Sequence, residues 1–336
     1  MRMRFSRRGK QFFFFTFCVE GRKRVLSELV PEAVDKGRGR PPAPPDGGGN
    51  EFAHAVLSPR GENVLRWLLA LHGQNPALVL SNRVVMPDHV HFLLMVDFDR
   101  DPGFDPLAFA HRFRREAGGA GGAPVPWERS FWLALSLSSR QLAAIRRYIR
   151  GNPARALWKK AHPDRFRVMV GIRHASLDPA LRWSAMGDPT LLASPFRFPV
   201  RLTRKRPVEA QEEAIAEAME RARCGMVPVC GFISPAEREL ERRLRAERGV
   251  RWIKTVPYGL PAGHDPSLED SRALAEGRVL LLSSFPADVP VSPISRANCE
   301  AMNERILRLC GEAAAPIVTQ GTGYKPPAPP EGGGHG

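Results

Sequence analysis

Residues 86–92, which read MPDHVHF, constrain the fold more than any other stretch, because apolar runs both precede and follow them. Two apolar runs separated by a Pro-Asp pair predict a strand, a tight turn and a second strand. Side chains alternate along a strand, so His89 and His91 are expected on one face, with Val90 turned into the core. Two neighbouring imidazoles on a rigid element can hold a divalent metal ion, although a surface strand that happens to carry two histidines is the plainer interpretation.

The positive charge of the chain is concentrated in its first part. Of a net charge of +15 over 336 residues, residues 1–200 contribute 31 Lys and Arg against 17 Asp and Glu, whereas residues 201–336 contribute 19 against 18. This distribution is typical of a polyanion-binding domain joined to a nearly neutral partner domain. A role of the charge in solubility alone is the alternative.

Cysteine usage and hydropathy exclude several classes of protein. The five cysteines include no C-x-x-C pair, which argues for a reducing compartment and against a zinc knuckle or a disulfide framework. No apolar window is long enough for a membrane span, and the start of the chain lacks the pattern of a signal peptide. These features predict a soluble, cytoplasmic protein without membrane contact.

Two low-complexity segments are nearly identical. Residues 41–49 read PPAPPDGGG and residues 326–334 read PPAPPEGGG. Such compositions cannot build a core, so we expect a disordered insertion at 36–50 and a disordered tail at 321–336.

The first 120 residues outside the insertion predict regular elements. Residues 11–19 are apolar and aromatic and predict a buried first strand, and the apolar spacing over 61–72 predicts a helix. A second helix is expected over 105–115, ended by a glycine run. It carries three arginines, which could grip phosphates or simply form a solvated face; they are Arg112, Arg114 and Arg115.

A basic helix with a tyrosine follows. Its apolar spacing predicts a helix from Ser139 that ends at Asn152-Pro153, and Tyr148 and Asn152, four residues apart, share one face. Positive charge stabilises a phenolate, as a nucleophilic tyrosine requires, although most tyrosines on such helices are structural. The surrounding arginines, which we also interpret as DNA contacts, are Arg146, Arg147, Arg150 and Arg155.

Several motifs in this order resemble one family. They are MPDHVHFLL at 86–94, WER at 127–129, YIRGNPARA at 148–156, and the opening FTF at 15–17 with EGR at 20–22. Together, over about residues 8–200, they resemble the single-tyrosine HUH transposases, and within these the REP-associated tyrosine transposase branch. The segment FWLAL at 131–135 departs from the family by being more apolar.

The resemblance implies a fold, a site and a reaction. The fold would be an α+β domain over 1–200, with a ferredoxin-like antiparallel sheet and helices. His89, His91 and Asn152 would hold Mg²⁺ or Mn²⁺, and Tyr148 would be the nucleophile. The implied activity is DNA nicking and strand transfer through a 5′-phosphotyrosine, as in DNA transposition and recombination.

The expected partner is single-stranded or hairpin DNA, such as REP-like palindromes, bound by a monomer or homodimer. Four aromatic residues are candidates for base stacking or for the core: Trp127, Phe131, Trp132 and Trp158. Two other functions remain possible. One is a domesticated, catalytically inactive binder of hairpin or single-stranded DNA, and the other is a His-x-His hydrolase of small phosphoesters, which would leave Tyr148 and the basic excess unexplained.

The second part of the chain has a different pattern. Residues 201–224 predict a basic hinge and a helix, and residues 225–320 alternate apolar strands with helices, which predicts a smaller α/β domain with a parallel sheet. GFIS at 231–234, LLSSFP at 281–286 and SRAN at 295–298 resemble the Rossmann-like domain of the DNA-processing protein DprA. That resemblance implies a possible nucleotide or single-stranded DNA site, with a structural role as the alternative; its residues would be Gly231, Ser234, Arg296 and Asn298.

Overall fold

The computed structural model describes residues 8–31, 53–119, 124–136, 138–203, 207–311 and 317–318. They form a mixed α+β structure in two units, the N-terminal unit Met1–Ala161 and the C-terminal unit His162–Gly336. The expected insertion at 36–50 and tail at 321–336 lie outside the described residues. No helix in the described ranges is long and apolar enough to cross a bilayer.

The N-terminal unit is built on an antiparallel sheet. Its described strands are β1 (Lys10–Val19), β2 (Ser27–Pro31), β3 (Ala53–Leu57), β4 (Leu78–Val85), β5 (His89–Asp97) and β6 (Trp127–Ser136). Its described helices are α1 (Pro59–Leu69), α2 (Leu71–Gln74), α3 (Pro106–Glu116) and α4 (Ser139–Ala161). Four strands form one sheet in the order β4-β5-β1-β6, while β2 and β3 form a separate ribbon.

The two faces of this sheet differ because residues alternate along β1. Phe13, Phe15 and Phe17 are fully or almost fully buried, and they belong to one core with residues of α1 and α3. We call this side the aromatic face. The opposite side carries Thr16, His89 and His91, and α4 packs against it; we call it the histidine face.

The predicted hairpin is confirmed. β4 and β5 pair antiparallel, and the amide of Met86 donates to the carbonyl of His89 (2.8 Å) to close the turn. The first strand and the helix after residue 105 also form where the sequence predicts them, and the Asp105 side chain caps α3 by accepting from the Leu107 amide.

The predicted end of the tyrosine helix is wrong. α4 continues through Pro153 to Ala161. A proline inside a helix removes one hydrogen bond, here to the carbonyl of Ile149. Ile149, Ala154 and Arg155 are all buried, so packing on both sides of the proline offsets the lost bond.

The C-terminal unit is built on a mixed sheet. Its described strands are β7 (Met169–Ile172), β8 (Trp183–Gly187), β9 (Arg197–Arg201), β10 (Val227–Cys230), β11 (Trp252–Thr255), β12 (Val279–Ser283) and β13 (Ile317–Val318). Its described helices are α5 (Val208–Arg223), α6 (Pro235–Ala246), α7 (Leu268–Ala275) and α8 (Arg296–Cys310). The strand order is β13-β9-β10-β11-β12-β8-β7, and β9 to β12 are parallel, whereas β8 is antiparallel to both its neighbours.

The strand pairing corrects the domain boundary expected at residue 200. β8 pairs with β12, and β9 pairs with β10, so the segment 169–201 belongs to the second sheet. The division falls after Ala161 instead. Within this unit, the predicted alternation of strands and helices from residue 225 is present.

Candidate functional site

His89, His91 and Tyr148 come together on the histidine face of the N-terminal unit. The ring centroids of His89 and His91 are 4.6 Å apart, and those of His91 and Tyr148 are 5.2 Å apart. Val90 between the histidines is fully buried, so the predicted same-face placement is confirmed. One chain supplies all three side chains, because α4 packs back onto the sheet that carries the histidines.

Each histidine is oriented through its Nδ1 atom. His89 Nδ1 lies 2.6 Å from Asp88 Oδ1, and because a carboxylate only accepts, the imidazole N–H donates. His91 Nδ1 lies 2.7 Å from the Thr16 hydroxyl, which can accept in the same way. This arrangement leaves the Nε2 lone pair of each ring available. His91 Nε2 is buried and has no hydrogen-bond partner in the described part of the chain.

The electrostatics keep His91 neutral. Burial, followed by electrostatic interactions with His89, Arg155 and Arg22, holds the pKa of His91 well below its ordinary value of 6.5. A neutral imidazole is the form that binds a metal ion. Burial raises the pKa of Asp88, but the hydrogen bond from His89 and the electrostatic interactions with His89 and Arg22 outweigh it, so the pKa lies below 3.8 and the carboxylate is ionised.

Tyr148 is held between ring and cation contacts. The guanidinium carbon of Arg155 lies 4.9 Å from the centre of the Tyr148 ring, and Phe14 meets that ring edge-on at 6.1 Å. Arg155 is only 4% exposed. Its position under the phenol ring therefore differs from the surface DNA contact that the sequence predicts, and it orients the tyrosine.

Asn152 lies one helical turn after Tyr148 and is buried. Its Nδ2 atom has no hydrogen-bond partner among the described residues. A buried polar atom without a partner is costly, so Asn152 Nδ2 and His91 Nε2 are each atoms that a bound group could satisfy. A half-turn of the amide would present Oδ1, a suitable metal ligand, at the same position.

The donor set fits a divalent cation with open coordination positions. Within the described ranges, no cluster of three or more His, Cys, Asp or Glu side chains is arranged to hold a metal ion. The candidate ligands are therefore His89, His91 and the amide of Asn152. Three protein ligands would leave positions for water or phosphate oxygens, as a catalytic site requires.

Asp88 orients His89 through its Nδ1 atom, and Arg22 in turn orients Asp88. Arg22 Nε donates to Asp88 Oδ2 (2.9 Å), and its Nη1 contacts Cys18 Sγ (2.8 Å). Arg22 has a φ of 56°, a left-handed conformation that is strained for a residue with a side chain. Two sequence features point to these supporting residues: Asp88 directly precedes the histidines, and Thr16 interrupts an aromatic strand. Neither identifies its partner.

We expect Asp88→Asn to weaken Mn²⁺ binding about 10- to 100-fold, because a carboxylate behind a ligating histidine orients the ring and raises its basicity. The measurement is isothermal titration of Mn²⁺ into the full-length protein. Glu62→Gln, an exposed carboxylate on α1, is the matched control and should bind like wild type. Equal affinity of the Asp88→Asn and wild-type proteins would contradict the proposed histidine support.

The arginines of α3 lie on the other side of the sheet from the site. Arg112 donates to Glu116 and Gln74, and Arg115 pairs with Glu116. Arg114 is half-buried. Since α3 packs on the aromatic face, the structure does not bring these three predicted DNA contacts to the histidines.

The remaining predicted arginines lie on α4. Arg146 donates to the Ser81 hydroxyl (3.1 Å) and lies over the Phe12 ring, next to the histidine face. Arg147 and Arg150 are exposed. Of the seven arginines singled out in the sequence, those of α4 are therefore the ones that share an element with Tyr148.

In the C-terminal unit, the chain itself fills the predicted anion position at the start of α6. Glu237 Oε2 accepts from the amides of Ile233 (2.8 Å) and Ser234 (2.9 Å), and Ser234 Oγ accepts from the Glu237 amide. This is the capping box that the sequence SPAE at 234–237 indicates. Its carboxylate takes the amides that a phosphate would need.

The other predicted C-terminal residues have partners of their own. Gly231 packs against α8, where an added Cβ would lie 2.2 Å from the terminal methyl group of Met302. Arg296 pairs with Glu300, and Asn298 donates to the carbonyl of Pro257 (3.1 Å). The contacts of these residues therefore account for them without a ligand.

Comparisons with known proteins give partial likenesses. No protein-family model and no curated protein matches the chain. A structure of DNA processing protein A from Helicobacter pylori, described for its single-stranded DNA binding mode, has 19% identity and a TM-score of 0.35, covering 44% of this chain and 67% of that one. A REP-associated tyrosine transposase bound to a REP hairpin has 16% identity and a TM-score of 0.31, covering 48% and 76%. TM-scores this low establish neither a family nor a function.

Proposed function

We propose that the N-terminal unit is a metal-dependent transposase or endonuclease that cleaves and rejoins single-stranded DNA near hairpins. The observation that carries this proposal is the cluster of His89, His91 and Tyr148, in which His91 Nε2 is buried and has no hydrogen-bond partner among the residues that the structure describes. The unit around it is basic, with 26 Lys and Arg against 14 Asp and Glu over residues 1–161.

The arrangement of strands supports the implied fold. α1 lies between β1 and β4 in the chain, and α3 lies between β5 and β6, so the order β4-β5-β1-β6 has the connectivity of a ferredoxin-like sheet. For the C-terminal unit, the parallel strands β10 to β12 with intervening helices support a Rossmann-like arrangement.

Tyr148 would perform the bond exchange. Its phenolic oxygen attacks the scissile phosphorus in line, the P–O3′ bond breaks, and the DNA 5′ end becomes linked to the tyrosine. The phenolic proton passes to water, and the departing O3′ is protonated by water. Attack by a 3′-hydroxyl on the phosphotyrosine reverses these steps and rejoins the strand, so no nucleotide cofactor is consumed.

Residues around the tyrosine would place the phosphate and the nucleophile. Mg²⁺ or Mn²⁺ held by His89, His91 and Asn152 would polarise the phosphate and neutralise charge on its oxygens. Arg155 fixes the phenol ring from its buried side, and the half-exposed Arg22 adds positive charge near His91. The unpaired strand that reaches this face would come from DNA beside a hairpin, bound by a monomer or a homodimer.

The test is covalent capture. Wild-type protein incubated with labelled, hairpin-flanked single-stranded DNA and Mn²⁺ should give an SDS-resistant adduct, and Tyr148→Phe should give none, because the phenolic oxygen forms the covalent bond. Tyr258→Phe in the C-terminal unit is the matched control and should react like wild type.

Two outcomes would overturn the mechanism. One is the absence of an adduct from the wild-type protein on every hairpin substrate, and the other is an undiminished adduct from Tyr148→Phe. The first, with DNA binding retained, would favour the catalytically inactive hairpin-DNA binder.

A further inference from the structure

Trp132 is a large apolar side chain left in solvent on the histidine face. It lies on β6, at the edge of the four-stranded sheet, and is 66% exposed. Within the described residues, neither an aromatic nor a cationic side chain stacks on its indole, and it is not part of the core of the N-terminal unit. Single exposed apolar residues are common in proteins, so exposure alone does not indicate a function for Trp132.

Strand register places Trp132 in line with the candidate site. On β1, Thr16 is directly opposite His91 of β5 and directly opposite Trp132 of β6. Residues directly opposite each other in an antiparallel pair point to the same face. His91, Thr16 and Trp132 thus form one row across three strands, and the backbones of His91 and Trp132 lie about 10 Å, two strand spacings, apart.

The remaining tryptophans of this unit lack that combination of position and exposure; Trp158, on α4, is half-buried. Trp127 is buried and packs against Phe17 and Phe113, and its indole N–H donates to the Ala117 carbonyl. Trp67 packs on α3 over the aromatic face. Neighbouring Phe131 also turns to the aromatic face, where it stacks on Phe17. Of the aromatic residues on β6, Trp132 is the one that faces the histidine side.

We propose that Trp132 is the platform on which an unpaired base of the DNA substrate stacks beside the scissile phosphate. The proposal rests on the proposed function and deepens it. An exposed aromatic ring next to cationic side chains is the arrangement by which proteins hold single strands. Here the half-exposed Arg22, which pairs with Asp88 beside His89, supplies positive charge near the site.

The platform selects for an unpaired strand. Both faces of a base in a duplex are covered by its neighbours, so a base can lie on the indole only after leaving the stack. Stacking needs a π-face and no particular donor or acceptor pattern, so Trp132 would favour single strands over duplexes without fixing the sequence.

The test measures binding apart from chemistry, in the full-length Tyr148→Phe protein. Fluorescence anisotropy with labelled oligo(dT), and with a duplex of the same length, gives both affinities. Adding Trp132→Ala should weaken oligo(dT) binding roughly 5- to 150-fold and leave duplex binding unchanged. Adding Trp132→Phe should keep most of the affinity, and Phe196→Ala, a similarly exposed aromatic of the C-terminal unit, should change neither value.

Salt dependence and oligomeric state separate the alternatives. Trp132→Ala should leave the slope of log affinity against log salt unchanged, because a stacking contact releases no counterions. Equal oligo(dT) affinity with and without Trp132, an equal loss on single strand and duplex, or no measurable binding by the parent protein would overturn the proposal. So would a dimer in light scattering that Trp132→Ala converts to monomer, since the indole would then contact a second copy. Because Tyr148 is absent throughout, these outcomes are independent of whether the wild-type protein forms an adduct.

Discussion

His91→Ala is expected to remove both Mn²⁺ binding and metal-dependent DNA cleavage. His91 is the most deeply buried candidate ligand, at 5% exposure, and its Nε2 has no partner in the described part of the structure. Residues behind a metal ligand contribute about 10- to 100-fold to affinity, so loss of the ligand itself should cost more than about 100-fold. Titration calorimetry and the electron paramagnetic resonance signal of free Mn²⁺ measure this loss independently of activity.

Two further variants separate metal loss from misfolding. His91→Gln retains a polar side chain near Thr16 but lacks the imidazole, so it should fold and still fail to bind Mn²⁺. His111→Ala removes an exposed histidine of α3 and should bind like wild type. If both His91 variants bound Mn²⁺ with wild-type affinity, His91 would not be a metal ligand, and the proposed metal ion would not be held beside Tyr148 by the histidine pair.

The parts of the site that follow from local sequence could be predicted. The hairpin depends on two apolar runs and a Pro-Asp turn, and the shared face of His89 and His91 depends only on strand alternation. Likewise, the capping box at Ser234 depends on only four consecutive residues. Each of these signals acts within a few residues, where propensity and steric rules decide the outcome.

The parts of the structure that depend on pairing between distant segments of the chain could not be predicted from the sequence. Thr16 meets His91 across 75 residues, and the pairing of β8 with β12 assigns a segment before residue 200 to the second sheet. Pro153 predicts a helix end, but burial of the following turn overrides that local rule. The arginines of α3 form a basic cluster in sequence, yet which face of the sheet α3 covers is decided by the packing of Phe109 and Phe113.

The candidate site and a charged cluster of the C-terminal unit differ in how their polar groups are paired. In the N-terminal unit, His91 Nε2 and Asn152 Nδ2 are buried and have no partner within the described ranges, which is costly unless a bound group satisfies them. In the C-terminal unit, two buried carboxylates, Glu241 and Asp270, are paired with the half-buried Arg245 and Lys254. The chain itself therefore supplies the cations that balance these two carboxylates.

Lys254→Met is therefore expected to destabilise the C-terminal unit strongly. Lys254 Nζ lies 3.0 Å from Glu241 and 3.1 Å from Asp270, and both carboxylates are almost fully buried. Removing one partner of a buried ion pair leaves uncompensated charge and costs about 3–5 kcal/mol. For a unit of this size, that corresponds to a fall in Tm on the order of 10 °C, measured by differential scanning calorimetry. Amide exchange in β11 and β12 should increase with it.

The pH dependence of the variant provides a second signature. Burial raises the pKa of Asp270, but Lys254 and Arg245 outweigh it and bring the pKa below 3.8, so in wild type its stabilisation is present at neutral pH and is lost only in acid. Burial keeps the pKa of Glu241 raised despite the same two cations. Without Lys254 the pKa of each carboxyl group rises. A carboxyl group whose pKa is raised in the folded state destabilises the fold at pH values where it would be ionised in the unfolded chain. The stability deficit of the variant relative to wild type should therefore be largest at neutral pH and shrink as the pH falls.

Arg272→Met on α7 is the matched control, since its pair with Glu276 is largely exposed and worth at most about 1 kcal/mol. If Lys254→Met lowered Tm no more than Arg272→Met, the four charges would be hydrated rather than buried as a balanced group. A stability deficit of Lys254→Met that stayed constant with pH would show that Lys254 does not influence the pKa of either carboxyl group. A large loss that shrinks in acid would instead show that Lys254 stabilises the ionised form of both buried carboxylates and that this cluster contributes to the stability of the unit.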